Sequence, residues 1–395
     1  MTDTVCSDPM SRERIEAAIA ACSGLAARFA ETAGADDREG RFPRDKAELA
    51  RAAGLSALTV PEEFGGMGAG VWDMCRALLA LAEGDASVAL GIAMHVHAMG
   101  SAAQQRNWRP DAFAALCAEC VNPGIFVNSV HSEPEMGSPS RGGLPATRAT
   151  PVEGGYVING QKRWATFAPA LDYFLISATI ETPEGPTPGV YAVRAPTAGL
   201  TLIDRWSDGL SLRASGSFDV MLDGVFVPEG RLIDVRLPGN LPKVGYPVAW
   251  GPCAFGSVYL GIGKAALKRL AAFARARVPT ALGKPIVELP TVQRAAGQML
   301  LRLRAAELML RDTATRWDEH PEHRAEMAAD IAAAKYACVE ATIATTELAM
   351  RAAGASALDR ALGLERLFRD ARAGLMQPPQ EDLALEIIGR AALKV

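Results

Sequence analysis

The chain has 395 residues, 49% of them apolar and 22% charged, a balance that builds a sizeable core and excludes a disordered polymer. The net charge of −4, with no basic block, excludes nucleic acid as an expected partner. The length allows two or three domains, and seven scattered cysteines point to reduced thiols and a cytoplasmic protein.

No apolar run opens the chain, so no signal peptide is expected. From residue 11 to about 120, Ala-rich segments with apolar residues three and four apart predict helices. The glycines of the break Thr59–Gly70 follow a dinucleotide fingerprint only loosely, and no strand–turn–helix surrounds them. His95 and His97 stand two apart on a predicted helix and look to different faces, so no metal pair is expected. Each is read by default as a structural histidine. Cys117 and Cys120 form a C-x-x-C without a second pair or a nearby His, and read as two buried thiols.

The stretch from Asn128 to Thr166 changes character. His131-Ser132-Glu133-Pro134-Glu135-Met136-Gly137-Ser138 is a turn-rich loop. Two strand-like runs follow, broken at Glu153-Gly154-Gly155, where a hairpin turn needs positive φ. The second run ends in Lys162-Arg163-Trp164-Ala165-Thr166. A flat aromatic beside a short hydroxyl suits a planar ligand, although a half-buried Trp on a hairpin is the plainer reading. Short β-rich runs continue at 173–177, 190–193 and 218–222, and predict a small antiparallel barrel or sandwich.

Residues 244 to 263 carry no charge over about the length that spans a bilayer. Pro247, Pro252 and five glycines interrupt the run, so it reads as a loop entering a buried helix, with no membrane partner. Beyond it, Val292, Ala296, Met299, Leu303, Ala306 and Leu310 form one helical stripe. Met327, Ile331, Ala334, Cys338, Ala341 and Leu348 form another, and both have a bundle's spacing.

Two motifs carry a resemblance. Ser132-Glu133-Pro134-Glu135-Met136-Gly137-Ser138 and Asn159-Gly160-Gln161-Lys162-Arg163-Trp164-Ala165-Thr166 are similar to the flavin-binding loop and strand of the acyl-CoA dehydrogenase family. Val60-Pro61-Glu62-Glu63-Phe64-Gly65-Gly66 and Val225-Phe226-Val227-Pro228 resemble that family's early loop and the close of its middle domain. Gly354, followed fifteen residues later by Arg369-Asp370-Ala371, keeps its C-terminal spacing. The resemblance implies an α+β fold: an N-terminal α-helical domain (1–120), a middle antiparallel β-barrel with the flavin site (121–232) and a C-terminal four-helix bundle (233–395). It implies FAD as cofactor, a homotetramer, and an acyl thioester substrate, on CoA or a carrier protein. In such enzymes a carboxylate takes the α-proton and the flavin accepts the β-hydrogen as hydride, with electrons passing to an acceptor.

Carried over by position, the backbone of His131 and Ser132 meets the flavin pyrimidine edge, Trp164 packs on the ring, and the Thr166 hydroxyl approaches N5. Ser138 lies by the diphosphate. Arg277 is the candidate for an arginine reaching a neighbouring subunit's FAD, although the Arg-x-x-Phe-Gly of the family is Arg277-Val278-Pro279-Thr280 here. Arg351 stands where the family has Gln, one turn before Gly354.

The base departs from the pattern. The family's Glu, nine residues after the motif arginine, falls on Pro378, and the alternative position on the helix after the β domain has no carboxylate. Three readings follow. Glu381 or Asp382 serves as a displaced base, although both also read as helix-start carboxylates. Alternatively, the chain is a flavin-dependent monooxygenase using molecular oxygen, with His131 and His95 or His97 as polar donors. Lastly, it binds FAD or a thioester without chemistry.

Overall fold

The structure, a computed structural model, describes residues 9–135, 143–183, 185–235 and 248–394. The chain opens with helices α1 (Pro9–Glu39), α2 (Arg44–Ala52), α3 (Val71–Gly84), α4 (Ala86–Gln105) and α5 (Pro110–Val121). Asp85 caps α4 by accepting from the Ser87 amide at 3.0 Å, and its carboxylate also pairs with Lys46 at 2.6 Å. Lys46 is buried and reaches Asp36 at 2.8 Å and the Phe29 carbonyl at 2.9 Å. One ammonium with three acceptors thus ties α1, α2 and α4 together; unpaired, such a charge would not stay buried. α4 is the one helix among the described residues long and apolar enough to cross a membrane, and 78% of that window is buried inside the protein.

The strands are β1 (Val127–Val130), β2 (Arg148–Val152), β3 (Gly155–Ala165), β4 (Tyr173–Thr182), β5 (Gly185–Arg194), β6 (Leu200–Ile203), β7 (Phe218–Pro228) and β8 (Leu232–Val235). They form one sheet in the order β6-β7-β3-β2-β4-β5-β8, with β1 also on β4. β2 and β3 make the expected hairpin: Val152 faces Gly155, and Gly154 turns the chain at φ 77°. The sheet is mixed, because β1 and β2 both run parallel to β4 while the other pairs are antiparallel. β4 is buried along Tyr173–Ile180, as a strand with neighbours on both sides requires.

The C-terminal part comprises α6 (Trp250–Ala276), α7 (Pro290–Glu319), α8 (Ala328–Ala353), α9 (Leu364–Asp370) and α10 (Glu381–Leu393). α6 packs against α3, α4, α7 and α8. Its uncharged first half is core: a Cβ at Gly261 would stand 2.6 Å from the Ala82 side chain. Both predicted stripes face inward, with Met299, Leu303, Leu310, Ile331, Ala334 and Cys338 buried. The opposite face of α7 leaves Leu300, Leu301 and Leu308 exposed, Leu301 at 72%.

Three carboxylates and an arginine join these parts. Asp318 on α7 accepts the Val71 and Trp72 amides at the start of α3, both at 2.9 Å. Arg369 pairs with Asp37 of α1 at 2.5 Å, and Asp370 accepts the Leu212 amide at 2.7 Å. Burial pushes Asp370 up to about 6. The Arg369-Asp370 motif therefore works as a stitch between helices and sheet.

Candidate functional site

The site is organised by the end of β3. Lys162 pairs with Val220 and Ala165 with Phe218, so three steps along β3 oppose two along β7. The extra residue makes a bulge, which re-aims side chains. Trp164 sits in it at φ 58°, with 51% of its surface exposed and the Arg163 guanidinium 5.2 Å from its ring centre. A bulky residue in the left-handed region is uncommon and marks a functional or packing constraint.

Lys162 fixes the neighbouring loop. It is fully buried and pairs with Glu133 at 2.6 Å, while Ser177 Oγ accepts a second bond at 3.0 Å. Glu133 also accepts the Ala146 amide at 2.6 Å and the Thr147 amide at 3.1 Å, closing the chain between 133 and 147 at its base. Burial by itself would raise the Glu133 carboxyl; Lys162 and these donors outweigh it and hold the group below its ordinary value. The Arg163 amide donates to the Ser132 carbonyl at 2.9 Å, so Ser132 lies directly against β3. Beyond Trp164, the Thr166, Ser217 and Ser215 hydroxyls form a buried chain with spacings of 2.9 and 2.8 Å. Asn128 Nδ2 holds the Thr166 carbonyl at 2.9 Å.

A helical wall stands beside this strand end. Phe167 follows Thr166 and seats its ring over Gly91 of α4, where a Cβ would come within 2.0 Å. His95, one turn on, is fully buried: Nε2 donates to the Ser56 carbonyl at 2.8 Å and Nδ1 accepts the Val127 amide at 3.1 Å. Both nitrogens are spent, so His95 is structural, and burial pushes it down to about 4. His97 faces α6 instead and meets Phe255 edge-on at 5.6 Å between ring centres. Burial, and next the neighbouring His95, push it down to about 4, so it is neutral at pH 7. Gly251, Phe255 and Tyr259 recur every four residues and line one face of α6. His97 lies at the Gly251–Phe255 end of that face, and Gly374 packs on the Tyr259 ring at the other. The Tyr259 hydroxyl is buried without a partner at ordinary geometry among the described residues; the polar side chain facing it is Gln377.

No carboxylate occurs on α4, on α6, or in residues 371–380. Glu381 opens α10 in an exposed position, and its charge acts on Lys335 and Tyr336 of α8.

Comparison with known proteins decides the family. The acyl-CoA dehydrogenase N-terminal, middle and C-terminal domain models match residues 14–115, 129–225 and 253–376. The putative acyl-CoA dehydrogenase YdbM of Bacillus subtilis is 36% identical over 370 residues, covering 94% of this chain and 95% of that protein. The chain belongs to the acyl-CoA dehydrogenase family. The amino sugar nitrososynthase RubN8 of Streptomyces rubradiris is 30% identical, across 89% of this chain and 83% of its own length. Among solved structures, FMN-bound TdsC of Paenibacillus sp. A11-2, a dibenzothiophene monooxygenase, superposes with a TM-score of 0.84 at 26% identity, covering 95% and 97% of the two chains.

Acyl-CoA dehydrogenase family members are flavoenzymes that bind FAD, and the residues at β3 fit such a group. The half-exposed Trp164 ring offers a surface for a flat ring, and the Thr166 hydroxyl, bonded to Ser217, stands two residues on. The loop positions His131 and Ser132 stand half-buried beside them. Ser138 falls outside the described residues. Arg277 lies exposed just beyond α6, Arg351 is exposed and paired with Glu347 at 2.7 Å, and Gly354 ends α8 at φ 61°. The structure thus brings His131, Ser132, Trp164 and Thr166 together and leaves these three on the surface. Sequence reading missed Glu133, Lys162, Ser215 and Ser217 as site-forming residues. The glutamate and lysine were visible within the motifs, but their mutual bond was not.

Proposed function

We propose that the protein is a flavin-dependent monooxygenase on the acyl-CoA dehydrogenase fold. The observation that carries this reading is the absence of a carboxylate from α4, α6 and residues 371–380, the walls where α-proton abstraction needs one. FAD, when bound, supplies electron transfer and, in its reduced form, the reaction with molecular oxygen. Trp164 and the pinned loop would orient the ring, and Thr166 would hold its edge. Neutral His97, against the apolar Phe255, is suited to give or take a proton at a ring nitrogen without placing a fixed charge in the pocket. Phe255 and Gly251 favour an uncharged substrate body. Reducing equivalents come from a separate reductase. RubN8 and TdsC, named for nitrososynthase and monooxygenase chemistry, support the reading.

A second reading has its own support, since the 36% identical relative is named a putative acyl-CoA dehydrogenase. There Glu381 would have to leave its surface position to serve as base. The test supplies the FAD-loaded protein with reducing equivalents by two routes under nitrogen: an acyl-CoA series, or NADH with a flavin reductase. Reduction by the reductase alone, followed by oxygen consumption that falls in His97→Ala, supports the oxygenase. Reduction by an acyl-CoA supports the dehydrogenase.

The assembly proposed with either reading is a homotetramer. Leu300, Leu301 and Leu308 on α7 and Leu383, Leu385 and Leu393 on α10 present apolar surface that a second copy would cover.

A further inference from the structure

Lys335 sits on α8 with only 3% of its surface exposed. Its ammonium donates to three backbone carbonyls: Gly374 at 2.9 Å, Gln377 at 2.8 Å and Pro379 at 3.0 Å. An ammonium has three donors and no acceptor, so three carbonyls satisfy it completely. These carbonyls belong to one turn, the segment in which Pro378 occupies the family's base position. The turn also ends a short 3₁₀ stretch, Ala371–Met376, whose last carbonyls have no partner within the helix.

We propose that Lys335 is a positioning residue of the site: it clamps the Gly374–Pro379 turn against α6, so that the far end of the α6 face that meets His97 is a fixed, uncharged surface. Contacts on both sides hold the turn. On the α8 side, Lys335 takes the carbonyls. Gly374 fits between α8 and α6 because a Cβ there would stand 3.0 Å from Val339 of α8 and 3.1 Å from the Tyr259 ring of α6. With Gly374 held at that depth, Gln377 faces the buried Tyr259 hydroxyl on the stripe that also meets His97. Burial pushes the Lys335 ammonium down to about 8, and against this the Glu381 carboxylate, the one nearest the lost base position, works as a counter-charge to the clamp. Charge-assisted bonds of this kind are the stronger ones, and leaving three carbonyls without them frees the turn.

The inference rests on the reading that this turn borders the substrate pocket, but its test needs no turnover. Amide hydrogen exchange is followed across 371–384 in the FAD-bound full-length protein, for wild type, Lys335→Met and Lys335→Gln. In the same samples, iodide quenching of the flavin emission reports solvent access to the site. The clamp predicts at least tenfold faster exchange in 371–384 for Lys335→Met, with α6 and α7 unchanged, and increased quenching. Lys335→Gln keeps two donors and should fall between. Unchanged exchange overturns the proposal. Faster exchange without a change in quenching also overturns it, because Lys335 would then be structural only. An acyl-CoA that reduces the flavin would sink the oxygenase reading yet leave these two readouts, and the clamp, intact.

Discussion

Replacing Lys162 with Met should destabilise the protein by about 3 kcal/mol, the low end of what removing one partner of a buried ion pair costs. The low end applies because Glu133, only 4% exposed, keeps the Ala146 and Thr147 amides as donors at 2.6 and 3.1 Å. Its carboxylate would be stranded without its counter-charge but not without hydrogen bonds. Adding Glu133→Gln should then recover at least half of the loss, since Gln keeps an acceptor for one amide and removes the stranded charge. The assay is urea unfolding of the flavin-free wild type, both single variants and the double variant, read as midpoints at constant slope. The same proteins titrated with FAD should rank in the same order, because the pair closes the loop that carries His131 and Ser132. A loss below about 1 kcal/mol in Lys162→Met, or a double variant no better than the single, would mean that Glu133 does not depend on Lys162 for its charge.

Trp164→Ala should weaken FAD binding by about 1–3 kcal/mol, measured by titrating the flavin-free protein; unchanged affinity would remove Trp164 from the ring site. Acid should destabilise the fold through His95. Its pKa lies at about 4 in the folded state against 6.5 free, so the unfolded chain binds the proton more readily and stability is lost as pH falls from about 6.5 towards 4. That loss amounts to about 3 kcal/mol at most for one group. Asp318 and Asp370, raised to about 6, act in the opposite sense below that pH. The check is therefore the difference between wild type and His95→Gln, which should shrink towards pH 4. Leu301→Asp with Leu308→Asp should lower the mass seen by light scattering; a monomeric wild type with FAD bound would contradict the homotetramer.

The fold was legible because its signals are local. Helical stripes such as Met299-Leu303-Leu310, the Gly154 turn and the uncharged run before Gly263 each report their own segment. What the site does depends on pairings the sequence does not state. Trp164 turns outward because β3 carries one more residue than β7 between two pairings, a property of two strands at once. Glu133 and Lys162 are 29 residues apart, and either alone reads as an ordinary surface charge. Lys335 lies inside a helical pattern, and nothing in it points to the carbonyls of residues 374–379. The parallel placement of β1 and β2 on β4 is likewise long-range, since alternation along a strand gives its faces but not its neighbours. The missing carboxylate at Pro378 could be read directly. The exposed position of Glu381 could not, because it depends on how α10 packs on α8.

FAD-loaded protein is mixed with a series of acyl-CoA thioesters in the absence of oxygen, and the visible flavin absorbance is followed. With no carboxylate on α4, α6 or residues 371–380, the absorbance should persist with every thioester and disappear only when a flavin reductase and NADH are supplied. Rapid bleaching by any acyl-CoA, slowed about a hundredfold or more by Glu381→Gln, would contradict oxygenase chemistry and return the chain to thioester dehydrogenation with Glu381 as its base.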